Sequence, residues 1–190
     1  MSIILASGSP RRQELMQMIG VGDFTVMPAE VDEHLTTGAS PEQTVCEIAL
    51  AKARYVSHSC EQNDIIIAAD TLVYLNDTPI GKPLDINDAV NMLRALSGQK
   101  HTVYTGVAIL KDTKIVTFTE QTDVFFRKIS EDEISAYVAS GEPMDKAGAY
   151  GAQGKGSVFI EKIEGDFFNV MGLPLCSLSL MLRKLGVSMQ

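Results

Sequence analysis

The sequence predicts an α/β protein with a mixed, twisted sheet and flanking helices. Three features predict it. Short apolar runs alternate with helix-like segments over the first half of the chain, as in strand–helix–strand units. The run "DIIIAADTLVYL", residues 64–75, is almost continuously apolar over strand length, as expected of a central strand covered on both faces. Two long β-patterned segments, Thr102–Leu110 and Lys114–Phe126, then follow each other so closely that only a hairpin joins them, which adds an antiparallel pair to a parallel pattern.

The first element, Ser2–Ser7, reads as a short buried strand. Ser9 and Pro10 mark the N-cap and first residue of a helix that ends near Gly20 or Gly22. Phe24–Met27 is a weak second strand, and the acidic stretch "AEVDEHL" follows it. In "SPEQTVCEIALAKARYVSHS", Ser40 and Gln43 have capping-box spacing, Pro41 takes the first helical position, and apolar residues recur at helical intervals. After the central strand, the turn "NDTPIGKP" leads to a helix across Asn87–Leu96 closed by Gly98, and then to the hairpin. Ser130 and Glu133 box a further helix that stops at Gly141. The glycine-rich "KAGAYGAQGKGS" precedes a strand, "VFIEKI", and a last helix follows "GLP". No repeat, charge block, low-complexity tract or long linker interrupts this order.

With 190 residues the chain can bury a sizeable core as one domain or two joined lobes. Its net charge of −8 argues against nucleic acid and anionic membranes as partners, so any basic site must be local. No stretch approaches a membrane span and the N-terminal apolar run is too short for a signal peptide, so a cytoplasmic protein is expected. Cys46, Cys60 and Cys176 form no metal-ligand spacing, and an odd number of thiols suits a reducing compartment. The Asn76–Thr78 acceptor sequence for glycosylation is idle without secretion. His34, His58 and His101 share no motif, which argues against a histidine metal site or a triad.

Electrostatics single out "ASGSPRR". Helix starts favour acids, yet Arg11 and Arg12 occupy this first turn. An anion held by the Ser-Gly-Ser turn, the helix N-terminus and the guanidinium groups would explain them; so would arginines bent into solvent or paired with Glu14 and other acids. "GAQGKGS" is not a Walker motif, because Gly156 stands where a hydroxyl residue should follow Lys155. Its glycines would still permit close approach of a planar or phosphorylated ligand.

Asp70 follows five apolar residues, where a carboxylate needs a donor, a cation or a metal. It either caps the next turn or shares a site with Thr71 and with Lys82 of "IGKP". Asp32 and Glu33 read as a solvated acidic corner, although oxygen ligands from Glu33 and Asp70 would suit Mg²⁺ or Mn²⁺. Lys52 reads as a surface lysine, or as one that reaches inward from an alanine-rich helix. Met16, Met18 and Ile19 read as core.

The stretches "LASGSPRRQEL", "AADTLVYLN", "GKP", "LSGQKHTVYTGVA", "GEPMDKAGAYGAQGKG" and "GDFFNVMGLP" together closely resemble the Maf family of nucleoside triphosphate pyrophosphatases, in order and spacing, from the first strand to the last helix. The resemblance implies a fold like that of inosine triphosphate pyrophosphatases, with two lobes around a cleft in a single domain over residues 1–190. It also implies hydrolysis of nucleotides to the monophosphate and pyrophosphate with a divalent metal, and it allows a homodimer. By the same resemblance, Ser7, Arg11 and Arg12 belong to the phosphate-binding first loop. Glu33 and Asp70 are catalytic or metal-associated acids, Asp70 being the proton acceptor, and Lys52 and Lys82 are triphosphate contacts. Arg12, Thr71 and Gln153 match the dTTP/UTP subfamily; a sister subfamily acting on 7-methyl-GTP differs there. Gly81 stands where relatives often carry bulkier residues. A nucleotide-sensing protein that controls cell division is the alternative from a different functional class.

Overall fold

The computed structural model describes residues 1–31, 39–187 and 189. Glu33, with its neighbours Asp32 and His34, lies outside the described residues. The elements run β1 (Ile3–Leu5), α1 (Pro10–Met18), β2 (Phe24–Val26), α2 (Pro41–Ser57), β3 (Ile65–Leu75), β4 (Thr78–Ile80), α3 (Ile86–Leu96), β5 (Lys100–Lys111), β6 (Lys114–Phe126), α4 (Glu131–Ala139), β7 (Ile160–Glu164), α5 (Phe167–Met171) and α6 (Leu175–Lys184). They form the predicted mixed α/β fold. Hydrogen-bonded neighbours in the seven-stranded sheet follow the order β2-β1-β3-β5-β6-β7, with β4 paired to β3. β1 is parallel to β2 and to β3, whereas β3–β4 and β6–β7 are antiparallel.

The chain divides into two compact units: Met1–Thr71, Thr105–Glu120 and Gly172–Gln190 make the first, and Leu72–Tyr104 with Gln121–Met171 the second. In the first unit, parallel pairing places Ile3 beside both Phe24 and Ile65, and Leu5 beside Val26 and Ile67. Interstrand bonds extend beyond the three-residue ladder of β1, from the Ser2 carbonyl, which accepts from Ile65 N, to Ala6 N, which donates to Ile67 O. The predicted strand therefore spans more backbone pairing than its regular core. Successive β3 side chains alternate between faces. Ile66 and Ala68 pack with Ile4 and Ala6 against Ala49, Ala53 and Val56 of α2. The capping box of α2 is complete: the Ser40 side chain accepts from Gln43 N, and the Gln43 side chain accepts from Ser40 N. Small residues let this helix lie close to the sheet. At Gly106 of β5 an added Cβ would fall within the Val45 backbone and 2.6 Å from Cys46 N.

In the second unit, Leu93 and Leu96 of α3 and Ile134, Tyr137 and Val138 of α4 pack with Val73, Val103, Val124 and Phe126 of the strands. The Ser130–Glu133 capping box of α4 forms as predicted. Other boundaries moved for local reasons. The turn after β3 contains a strand, because Asn76 and Asp77 adopt φ of 48° and 64°, the left-handed pair that folds a tight hairpin onto β4. α3 starts at Ile86, earlier than expected, because Asp85 acts as N-cap and accepts from Asp88 N at 2.8 Å. Val158 and Phe159 belong to a 3-10 turn, Lys155–Phe159, so only the later part of "VFIEKI" pairs with β6. α5 was not expected; the Asp166 carboxylate accepts from Phe168 N and starts it.

His101 is buried in the second unit, edge-on to Phe126 and Tyr150. Its Nε2 lies 2.8 Å from the Tyr150 hydroxyl, and its Nδ1 has no hydrogen-bond partner among the described residues. Burial depresses its pKa to about 4, against the opposing pull of Asp123. Burial likewise raises the pKa of Tyr150.

Two outcomes follow from this packing. Gly106→Ala drives a methyl group into helix backbone and should lower stability by roughly 1–3 kcal/mol in urea unfolding. For His101, the unfolded chain takes up a proton near pH 6.5 and the folded chain only near pH 4. Stability is therefore unaffected by this group above pH 6.5 and falls as the pH drops from there toward 4, by up to about 3 kcal/mol. His101→Gln should flatten that limb of the stability–pH curve.

Candidate active site

The β3 alternation that buries Ile66 and Ala68 against α2 also turns Asp70 toward that helix. On α2, Val45, Ile48, Ala49, Ala53 and Val56 form the buried stripe, and Lys52 falls within it. The two charges consequently meet inside the unit, with Lys52 Nζ 2.6 Å from Asp70 Oδ1, and only 8% and 5% of the residues exposed. A buried carboxylate without a partner would take up a proton; beside an ammonium group the anion is favoured. Of the two readings of Asp70, a turn cap is incorrect, since β3 continues to Leu75. Within the first unit the cation paired with Asp70 is Lys52, and Lys82 is an exposed residue of the second unit.

Thr71, next along β3, joins a second network. From the first turn of α1, Arg12 donates through Nε to Gly172 O at 2.8 Å, through Nη1 to Ser7 Oγ at 3.2 Å and through Nη2 to Thr71 Oγ1 at 3.0 Å. Thr71 Oγ1 also lies 2.9 Å from Thr105 Oγ1 on β5. Arg12 thus links the turn after β1, the middle of β3 and Gly172 in the segment ahead of α6. Gly172 has φ of 105°, and a Cβ there would crowd Thr71 Oγ1 at 3.2 Å and Arg12 Nε at 3.5 Å. The position requires glycine for its backbone and for its space.

Arg12 is therefore held within the fold rather than bent into solvent. Arg11, half-buried beside it, has no protein partner among the described residues, and the helix N-terminus lacks a side-chain cap from Ser9. Ser7 is buried, holds Arg12, and accepts from Ser9 N at 3.3 Å. Asp70, Lys52, Ser7, Arg11, Arg12 and Thr71 are all in the first unit. Lys82 and Gln153 are exposed residues of the second. Thr105 and Gly172 lie in the quoted stretches "LSGQKHTVYTGVA" and "GDFFNVMGLP" but were assigned no role. The available signals were a hydroxyl facing inward on a strand and a glycine before Leu-Pro, both too common to read alone.

Among the described residues no group of three or more His, Cys, Asp or Glu is placed to hold a metal, and no helix is long and apolar enough to cross a membrane. Cys46, Cys60 and Cys176 are free thiols.

The curated dTTP/UTP pyrophosphatase of Bacillus cereus strain AH820 is 47% identical over 185 residues, covering 97% of this chain and 96% of its own length. The protein of that name from Bacillus mycoides strain KBAB4 is 48% identical over 176 residues, covering 93% of this chain and 91% of its own. Among solved structures, the Ham1 protein of Staphylococcus aureus shares the fold with a TM-score of 0.55 at 17% identity, over 97% of this chain and 99% of that one. A HAM1 protein from Coxiella burnetii gives 0.53 at 18% identity over the same shares of the two chains. The family model described as Maf-like protein matches residues 2–185, and with near-complete coverage by relatives of almost half-identical sequence, the chain belongs to the Maf-like protein family.

Proposed function

We propose that the protein is a nucleoside triphosphate pyrophosphatase that hydrolyses dTTP and UTP to the monophosphate and pyrophosphate. The observation that carries this reading is the buried Lys52–Asp70 pair, one residue along β3 from the Arg12–Thr71 network. The family relatives with the name dTTP/UTP pyrophosphatase support the substrate class.

In this mechanism Asp70 accepts the proton of a water molecule as its oxygen attacks the α-phosphorus; the bond from that phosphorus to the bridging oxygen breaks, and pyrophosphate leaves. Lys52 keeps Asp70 ionised for that task. Ser7 and Arg11, at the β1–α1 turn, bind phosphate together with the helix N-terminus. Lys82 is a further phosphate contact. Arg12, with Thr71, and Gln153 select the base.

Hard oxygen donors fit Mg²⁺ or Mn²⁺, because such ions need only one or two protein carboxylates when substrate phosphates and water complete the shell. Asp70 would supply one carboxylate, and Glu33, outside the described residues, is proposed as the other. A bound cation would neutralise phosphate charge and polarise the α-phosphoryl group.

Measured pyrophosphate release from a panel of nucleotides with Mg²⁺ or Mn²⁺ tests the reading; binding of dTTP and UTP without turnover would favour a sensor. Asp70→Asn should cut turnover by about 10²-fold or more while nucleotide binding persists. It also removes the carboxylate charge beside the buried Lys52 ammonium and should lower stability in thermal unfolding. The double variant Lys52→Met with Asp70→Asn should recover much of that stability in thermal unfolding and still lack turnover, which separates chemistry from folding. Thr71→Val keeps shape but removes the acceptor of Arg12 Nη2, and should lower the ratio of kcat/KM for dTTP or UTP over other triphosphates by roughly tenfold. An unchanged ratio removes Thr71 from the specificity set.

A further inference from the structure

The glycine-rich segment has the composition of a phosphate cradle, but several of its backbone donors are already taken by a side chain of the protein. Lys155 N donates to Glu142 Oε2 at 3.0 Å and Gly156 N to Glu142 Oε1 at 3.2 Å. Tyr137, on α4, donates its hydroxyl to Glu142 Oε1 at 3.0 Å, and that hydroxyl accepts from Gly151 N at 3.1 Å. One side chain of the protein thus occupies the anion site that the loop creates.

The glycines are explained by the same group. A Cβ at Gly154 would lie 2.7 Å from Glu142 Oε1, and one at Gly151 3.0 Å from the same oxygen. At Gly156 it would lie 2.7 Å from the Tyr137 hydroxyl. The close approach expected of a ligand is made by an internal carboxylate. Burial would raise the Glu142 pKa, but the donors from Lys155, Gly156 and Tyr137 and the charge of Lys146 outweigh it and hold it below the usual carboxylate range. Burial raises the pKa of Tyr137, which keeps its hydroxyl protonated as a donor. Lys146 ties down the other side of the clamp, donating from Nζ to the Glu142 carbonyl at 2.7 Å and to Asp145 Oδ1 at 2.6 Å.

Gln153 lies between the two anchored ends of this loop, with Gly151 N bound on one side and Lys155 N and Gly156 N on the other. We propose that Glu142, braced by Tyr137, is a positioning residue that presents Gln153 to the base of the nucleotide. It touches no substrate and acts only through the loop. This inference rests on the reading of Gln153 as a specificity contact.

The experiment compares Gln153→Ala, Glu142→Ala and the double variant for KM, kcat and selectivity among dTTP, UTP and other triphosphates. The expected result is that Gln153→Ala raises KM and erodes selectivity. Glu142→Ala should reproduce both effects, roughly tenfold, with kcat changed less than twofold, and the double variant should be no worse than either single one. A purely structural role would lower the melting temperature or the active fraction without moving KM or selectivity. If Gln153→Ala shifts KM but Glu142→Ala does not, or if the two effects multiply in the double variant, the positioning role is overturned and the Gln153 reading stands. If Gln153→Ala itself changes neither quantity, the Gln153 reading is wrong and the inference falls with it. Should Glu142→Ala fail to fold, Glu142→Gln, which loses one acceptor, is judged by the same criteria. Tyr137→Phe should give a weaker effect of the same kind.

Discussion

The buried ion pair of Lys52 and Asp70 is the constraint on which the rest of the first unit turns. Withdrawing two charges from water is costly, and an apolar pair of similar volume would serve stability as well or better. Its presence in an otherwise apolar layer points to chemistry. The pair also dictates its surroundings, because an ammonium group can reach β3 only if α2 lies close against the strands. Ala49 and Ala53 on the helix and Gly106 on β5 provide that closeness.

The Arg12 network solves a different problem with similar means. A guanidinium group at a helix start is opposed by the helix dipole, and here neutral oxygens from Ser7, Thr71 and Gly172 hold it. Rigid multidentate holding suits the base-selecting role proposed for Arg12, since the planar donor fork is fixed before any ligand arrives. The second unit applies the same principle with reversed charge: Glu142 fills a nest of backbone donors and so orders a loop whose composition would otherwise leave it loose.

Much of the fold was legible. The capping boxes at Ser40 and Ser130, the prolines Pro10 and Pro41 at the first positions of α1 and α2 and the alternating apolar runs are local signals, and local geometry decided those elements. The misplaced boundaries lie where side chains or strand pairing intervened: Asp85 moved the start of α3, Asp166 created α5, and pairing with β3 turned part of a predicted loop into β4.

For the site, the sequence by itself determined which residues were out of place for their neighbourhood: a carboxylate ending an apolar run, two cations opening a helix and glycines clustered in a polar stretch. Only the tertiary structure decided their partners. Lys52 meets Asp70, Gly172 and Thr105 complete the Arg12 network, and Glu142 occupies the glycine loop. The physical reason is separation along the chain. A cap or a turn is fixed by residues a few positions apart, whereas a buried charge is satisfied by whatever donor or acceptor the packing of distant elements brings within about 3 Å.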